Sequence, residues 1–194
     1  MTTKVYDVII VGAGSVGLPT AFFLAQAGLK PLVIDQFASP GQGSNKAAIG
    51  GIRATHSAPS KIRLCIKSIE IFSMWQETYG DNIEWYQGGY SFIAYREREE
   101  RALKELLNTQ QGFGLDIRWL DRDELLEVIP ALNPEGLIGG TYSPRDGSAS
   151  PLLSAHAFYA RAKERGARFH FGERVTGVIC RRGKIGRASC RERV

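Results

Sequence analysis

The apolar positions at the start of the chain change period twice. Residues 5–11 form an apolar, strand-like run, and Leu18, Ala21, Phe22, Leu24 and Ala25 then recur at helical spacing until Gly28 stops the pattern. A second short apolar run, Pro31-Leu32-Val33-Ile34, ends at Asp35. Pro19 is compatible with the helix between them, because first-turn N–H groups have no intrahelical acceptor to lose. The opening therefore reads strand, helix, strand, with Gly12-Ala13-Gly14-Ser15-Val16-Gly17 as the first connection.

The pattern loosens over residues 36–60, which hold Gly41, Gly43, Gly50 and Gly51, and a connection of that length inside a compact domain points to function. Helical spacing returns over 61–79, with Ser60 as the expected cap. Two aromatic runs around Gly88-Gly89 predict a hairpin over 84–95. Residues 96–111 predict a charged helix with Leu103, Leu106 and Leu107 buried; its charge run is a solvated face. A strand over 117–120 leads into a helix over 122–129, for which Asp121 and Glu124 form a capping box. A strand over 136–142, a helix over 151–165 capped by Ser150, and strands over 168–171 and 174–180 follow. This order predicts an α/β fold in which a nucleotide domain is interrupted by a second, mixed α+β module. The expected segments are 1–80 and 146–184 for the nucleotide domain and 81–145 for the module.

The glycine turn supplies the first chemistry. A strand that turns sharply into a helix points the helix's unpaired N–H groups and positive dipole end at an anion such as a pyrophosphate. Gly12 permits the turn, Gly14 lets the backbone approach the phosphates, and Gly17 lets the helix pack against the strand. Asp35, at the carboxyl end of the second strand, is placed to accept hydrogen bonds from ribose hydroxyls and to repel a 2′-phosphate, which favours FAD or NAD over NADP.

Composition narrows the alternatives. The 194 residues, 43% of them hydrophobic, suffice for one substantial core or two small ones. No apolar stretch is long enough to span a bilayer, and the first strand begins too close to Met1 for a cleaved signal, so a soluble, cytoplasmic protein without an obligatory membrane partner is expected. Cys65, Cys180 and Cys190 are too scattered for a disulfide framework, and neither they nor His56, His156 and His170 have metal-ligand spacing. The net charge of +5 comes mostly from Lys184, Arg187, Arg191 and Arg193 at the C-terminus, where no aromatic residues interleave as a nucleic-acid platform would need. Residues 185–194 are also similar to a translated adapter or vector sequence, so they are expected to be foreign to the fold.

Together the glycine turn, Asp35, the small residues Ala21 and Gly28, and the segments 43–53, 141–151 and 172–178 resemble the flavoenzyme family of D-amino-acid oxidase, glycine oxidase, sarcosine oxidase and related proline dehydrogenase subunits. That resemblance covers residues 6–179 and implies an FAD-binding domain of Rossmann type with an incomplete substrate module. It implies FAD contacts at Gly12, Gly14, Ser15, Val16, Gly17, Asp35 and Gln36. It extends them to Gly43, Ser44, Asn45, Lys46, Gly50, Gly51 and Ile52 in a loop under the flavin ring, and to Val175 beside the adenine. The implied reaction removes a hydride from the carbon next to an amine, so the substrate class is a small amine or amino acid. Arg53 aligns with an arginine that grips the substrate carboxylate in several members; binding of loop carbonyls or of a flavin phosphate are its alternatives. His56 is a candidate for the same pocket or for a structural place, and Lys46 for charge stabilisation near the flavin or for plain exposure. Some relatives work in hetero-oligomers, which implies partner subunits and leaves a non-catalytic, nucleotide-binding subunit as the alternative function. Two departures stand out: family members are about twice this length, and Ser150 stands where many have aspartate.

Overall fold

The computed structural model describes residues 5–181 and 184–192. Its first compact unit is built from Met1–Ile49 and Ser150–Val194, and its second from Gly50–Ala149. In chain order the first unit opens with β1 (Val8–Val11), α1 (Gly17–Gln26) and β2 (Pro31–Asp35), followed by a 3-10 turn over Ser44–Ala47. The second contains β3 (Gly51–Ile52), α2 (Pro59–Ser73), α3 (Trp75–Tyr79), β4 (Tyr90–Ala94), α4 (Glu97–Gly112), β5 (Arg118–Asp121), α5 (Arg122–Val128), β6 (Gly139–Ser143) and β7 (Gly147–Ser148). The first then resumes with α6 (Pro151–Glu164), β8 (Arg168–Phe171), β9 (Glu173–Arg181) and β10 (Lys184–Glu192).

In the first unit β1, β2 and β8 form a parallel sheet in the order β1-β2-β8. The central β2 is buried through Ile34, which is why its sequence is continuously apolar rather than alternating. Helix α1 packs against α6 through an edge-to-face pair, Phe22 with Phe158, whose centroids lie 5.6 Å apart. Strand β10 pairs antiparallel with β9, so the segment expected to be foreign is largely a strand here; Arg193 and Val194 lie outside the described residues.

In the second unit β6 lies between β4 and β5 in an antiparallel sheet, and β3 pairs with β7. The sequence placed the borders near residues 80 and 145, whereas the compact units divide after Ile49 and Ala149. Burial explains the difference: Ile62 and Ile69 of α2 form one core with Ala54, Leu107, Leu115 and Ile117, so α2 belongs to the second unit.

Two local expectations are corrected. The cap of α2 is Ala58 rather than Ser60, because Pro59, with φ preset and no N–H to satisfy, occupies the first turn. The hairpin over 84–95 does not form. Strand β4 pairs with β6, Tyr86 makes one isolated bridge to Ser148, and Trp85 packs against the core of α2. By contrast, the Asp121 and Glu124 capping box forms as expected, and Ser150 caps α6 through the Leu153 N–H. Among the described residues no helix is long and apolar enough to cross a membrane, and no cluster of metal-ligating side chains occurs.

Candidate functional site

The turn after β1 is held by the Gly12 N–H, which donates to the Ile34 carbonyl at 2.8 Å while Gly12 itself sits at φ +106°. A Cβ on Gly17 would stand 1.9 Å from the Gly12 carbonyl oxygen, so only glycine lets α1 start this close to the strand. A Cβ on Gly14 would meet nothing within 4 Å. Space above Gly14 is thus open, and the N–H groups of Gly14, Ser15 and Val16 find no acceptor among the described residues. Val16, the N-cap of α1, provides no side-chain cap either, and both Ser15 and Val16 are exposed. A helix start with free donors, open space and no acid in its first turn fits a phosphate.

Asp35 lies at the end of β2 with its carboxylate turned back on the turn. Its Oδ2 accepts the Ala13 N–H at 2.5 Å and its Oδ1 accepts the Phe37 N–H at 2.8 Å. Each oxygen keeps a further lone pair for a ribose hydroxyl. Asp35, Gln36, Gly12 and Val175 line one cavity of about 220 Å³, together with Glu173 and Arg174. A second opening of about 430 Å³ adjoins it, lined by Gln36 to Ser39, Gln42, Lys46 and Gly172. Four of the sequence-predicted FAD residues from three separate stretches therefore meet around one cavity, and Lys46 lies at the next. Gly43 precedes the 3-10 turn that contains Ser44, Asn45 and Lys46, and the Asn45 carboxamide donates to the Pro151 carbonyl at 2.8 Å, fixing that turn to the start of α6.

Gly50, Gly51, Ile52 and Arg53 belong to the second unit. Gly51 and Ile52 pair with Ser148 and Gly147, and the Gly50 carbonyl accepts the Ala149 N–H at 3.0 Å. The Arg53 guanidinium lies over the Tyr90 and Phe92 rings, 5.5 and 5.1 Å from their centroids. One of its nitrogens donates to the Thr55 carbonyl and, at 3.2 Å, approaches the Thr55 hydroxyl. The loop-carbonyl alternative thus accounts for one nitrogen, and a guanidinium has donors to spare. Beside it, burial and the Arg53 and Lys61 cations hold the His56 imidazole below its ordinary pKa, which favours the neutral ring. Burial pushes the Cys65 thiol up, away from reactivity.

Sequence reading missed Asp146. It has no exposed surface, and the Ala54 N–H lies 3.2 Å from both of its carboxylate oxygens. In Pro144-Arg145-Asp146-Gly147 an aspartate reads as a turn residue, and nothing in the periodicity signals its burial. Burial pushes its pKa up to about 6, outweighing the Ala54 N–H and the Arg53 charge, which pull it down. A carboxyl whose folded pKa exceeds its unfolded one near 3.8 binds its proton more tightly in the folded state. Its contribution to stability is therefore most favourable below about pH 4 and is lost as pH rises to about 6. Urea unfolding of the full-length protein at pH 4 to 7, compared between wild type and Asp146→Asn, is expected to show this falling component in wild type only. Parallel pH profiles would refute it.

The comparisons with known proteins agree with this geometry. The profile of the D-amino-acid oxidase family, described as FAD dependent oxidoreductase, matches residues 7–193, and the chain belongs to that family. It is 30% identical to glycine oxidase of Geobacillus kaustophilus over 179 residues, covering 88% of this chain and 47% of that protein. It is 28% identical to the sarcosine oxidase subunit beta of an Arthrobacter species, covering 94% of this chain and 49% of the relative. The crystal structure of L-proline dehydrogenase from P. horikoshii superposes with a TM-score of 0.91 at 28% identity, over 97% of this chain and 50% of that one. The chain thus spans about half the length of these relatives, and 20% of mitochondrial sarcosine dehydrogenase of Mus musculus. FAD is the cofactor of the family, and the residues present fit it: free N–H groups for the pyrophosphate and Asp35 for the ribose.

Proposed function

We propose that this chain is the FAD-binding portion of an enzyme that dehydrogenates the C–N bond of a small amine or amino acid. The observation that carries the reading is the meeting of the Gly12 turn, Asp35 and Val175 around one cavity, in a chain of this family. FAD held by these residues would supply the two-electron acceptor for a hydride from the carbon beside the nitrogen. The nitrogen lone pair forms the C=N bond as that C–H bond breaks, and water then hydrolyses the imine to a carbonyl compound and a free amine. Gly14, Ser15 and Val16 bind the pyrophosphate through their N–H groups, Asp35 and Gln36 hold the ribose end, and Val175 lies against the adenine. Lys46 and the turn of Ser44 and Asn45, with Gly43 before it, shape the loop toward the flavin, continued by Gly50, Gly51 and Ile52. Arg53 receives the substrate carboxylate on the donors that Thr55 leaves free, and a fork of two N–H groups suits that anion better than a point charge. The names of the relatives, glycine oxidase, sarcosine oxidase and L-proline dehydrogenase, support small amino acids as the substrate class.

Anaerobic mixing of the full-length, FAD-loaded protein with glycine, sarcosine or L-proline tests the reading. Bleaching of the flavin absorbance bands is expected with at least one of them, and a protein that takes up no FAD would overturn it. A second reading, a nucleotide-binding subunit without turnover of its own, is favoured by the likeness to a protein described as a subunit. Tight FAD binding with no bleaching by any of the three substrates would select it.

A further inference from the structure

Asp146 is a buried carboxylate that the glycine turn, Asp35 and the flavin loop do not use. Its surroundings connect it to Arg53 in three steps. The carboxylate accepts the Ala54 N–H, with both oxygens at 3.2 Å. That amide follows Arg53 directly in the chain, and Thr55 is the next residue. The Thr55 carbonyl then receives the Arg53 guanidinium, which is flanked by Tyr90 and Phe92. Asp146 is itself held in place: its N–H donates to the Ser143 carbonyl at 3.4 Å, its carbonyl accepts the Gly89 N–H at 2.9 Å, and Gly147 next to it pairs with Ile52. Burying a carboxylate is costly unless fixed donors offset it, so one held here by a backbone amide points to an architectural purpose.

We propose that Asp146 is a positioning residue: by holding the amide of Ala54 it fixes the neighbouring Thr55 carbonyl that aims the Arg53 guanidinium, and so sets the affinity of the site for a carboxylate. The inference rests on the reading of Arg53 as the carboxylate anchor. It separates charge from geometry. As an anion, Asp146 weakens the binding of another anion at Arg53; as an acceptor, it strengthens binding by orienting the fork. The ionisable groups around it are Arg53, its neighbour Arg145, Cys65 of α2, and Glu70 and Asp116, which share a small cavity with it.

Two neutral variants of the full-length, FAD-loaded protein isolate the geometric part. Asp146→Asn removes the charge and keeps an acceptor for the Ala54 N–H, whereas Asp146→Ala removes both. Trifluoroacetate, an anion that stays ionised at every useful pH, serves as a carboxylate probe, read through the perturbation of flavin absorbance without turnover. Asp146→Ala is expected to bind it at least tenfold more weakly than Asp146→Asn at equal FAD content, with Arg53→Gln abolishing binding. If Asp146→Ala does not fold, Asp146→Ser replaces it, with an expected weakening of at least threefold. Equal affinity of the neutral variants would overturn the proposal, as would binding unaffected by Arg53→Gln or a wild type that binds no probe. A wild type that binds the probe and follows the expected order, yet is reduced by no amine, would refute the proposed reaction while leaving the role of Asp146 intact.

Discussion

Replacing Gly17 with alanine is expected to weaken FAD binding strongly and to destabilise the FAD-binding unit, even though the change adds one methyl group. The added carbon would lie 1.9 Å from the Gly12 carbonyl oxygen, 3.1 Å from the Gly12 carbonyl carbon and 3.2 Å from Cγ2 of Ile10. Two of those atoms are backbone and cannot rotate away, so relief requires α1 to withdraw from β1. Withdrawal breaks the turn from which the N–H groups of Gly14, Ser15 and Val16 are proposed to reach the pyrophosphate. Overpacking of this kind costs about 3 kcal/mol at the upper end of the usual range, which corresponds to on the order of a hundredfold in affinity if expressed in binding. Gly14→Ala is the informative partner. With nothing within 4 Å of the added carbon and no positive φ, it is expected to leave the ligand-free protein as stable as wild type and to weaken FAD binding alone, because its methyl group would enter the open space proposed for the pyrophosphate. Flavin fluorescence titration and urea unfolding of the two full-length, FAD-stripped variants read both quantities. A Gly17→Ala protein with wild-type affinity would show that α1 does not need its close approach.

The contrast between these glycines shows which parts of the site were legible in the sequence. Glycine turns and helix caps are readable because their cause is local. Gly12 adopts a φ that side chains disfavour, and Asp121 with Glu124 satisfies N–H groups three residues apart, so residue type and spacing carry the whole argument. The parallel pair of β1 and β2 was equally readable, since α1 between them leaves little choice of partner. Pairing between distant segments is a different matter. Tyr90 to Ala94 carries the same alternation whether it folds back on Trp85-Tyr86 or pairs with Gly139 to Ser143, and the choice is made by Trp85 entering the core of α2. The border between the compact units differs from the sequence expectation for the same reason, since the apolar face of α2 is visible in sequence while the core it joins is not. Asp146 is the extreme case. Its residue type suits an exposed turn, and it is the pairing of β3 with β7 next to it that brings the Ala54 amide to its carboxylate.

Asp35 combines both kinds of information and gives the second large effect. The sequence reading assigns it to a ribose, yet its carboxylate already accepts the Ala13 N–H at 2.5 Å and the Phe37 N–H at 2.8 Å, tying the glycine turn to the end of β2 without any nucleotide. Hydrogen bonds to a charged acceptor contribute about 1.5–3 kcal/mol each, and removing this one acceptor leaves two donors unmatched. Asp35→Ala is therefore expected to lower the stability of the FAD-free, full-length protein by about 3 kcal/mol and, through the displaced turn and the lost ribose contact, FAD affinity on the order of a hundredfold. Asp35→Asn should fall between it and wild type, because its carbonyl oxygen accepts one N–H while its amide group faces the other as a second donor. Chemical unfolding before FAD addition separates the two roles. A ribose contact alone predicts no change in the FAD-free protein for either variant, whereas a carboxylate that also builds the turn predicts graded losses, alanine greater than asparagine, before any cofactor is present.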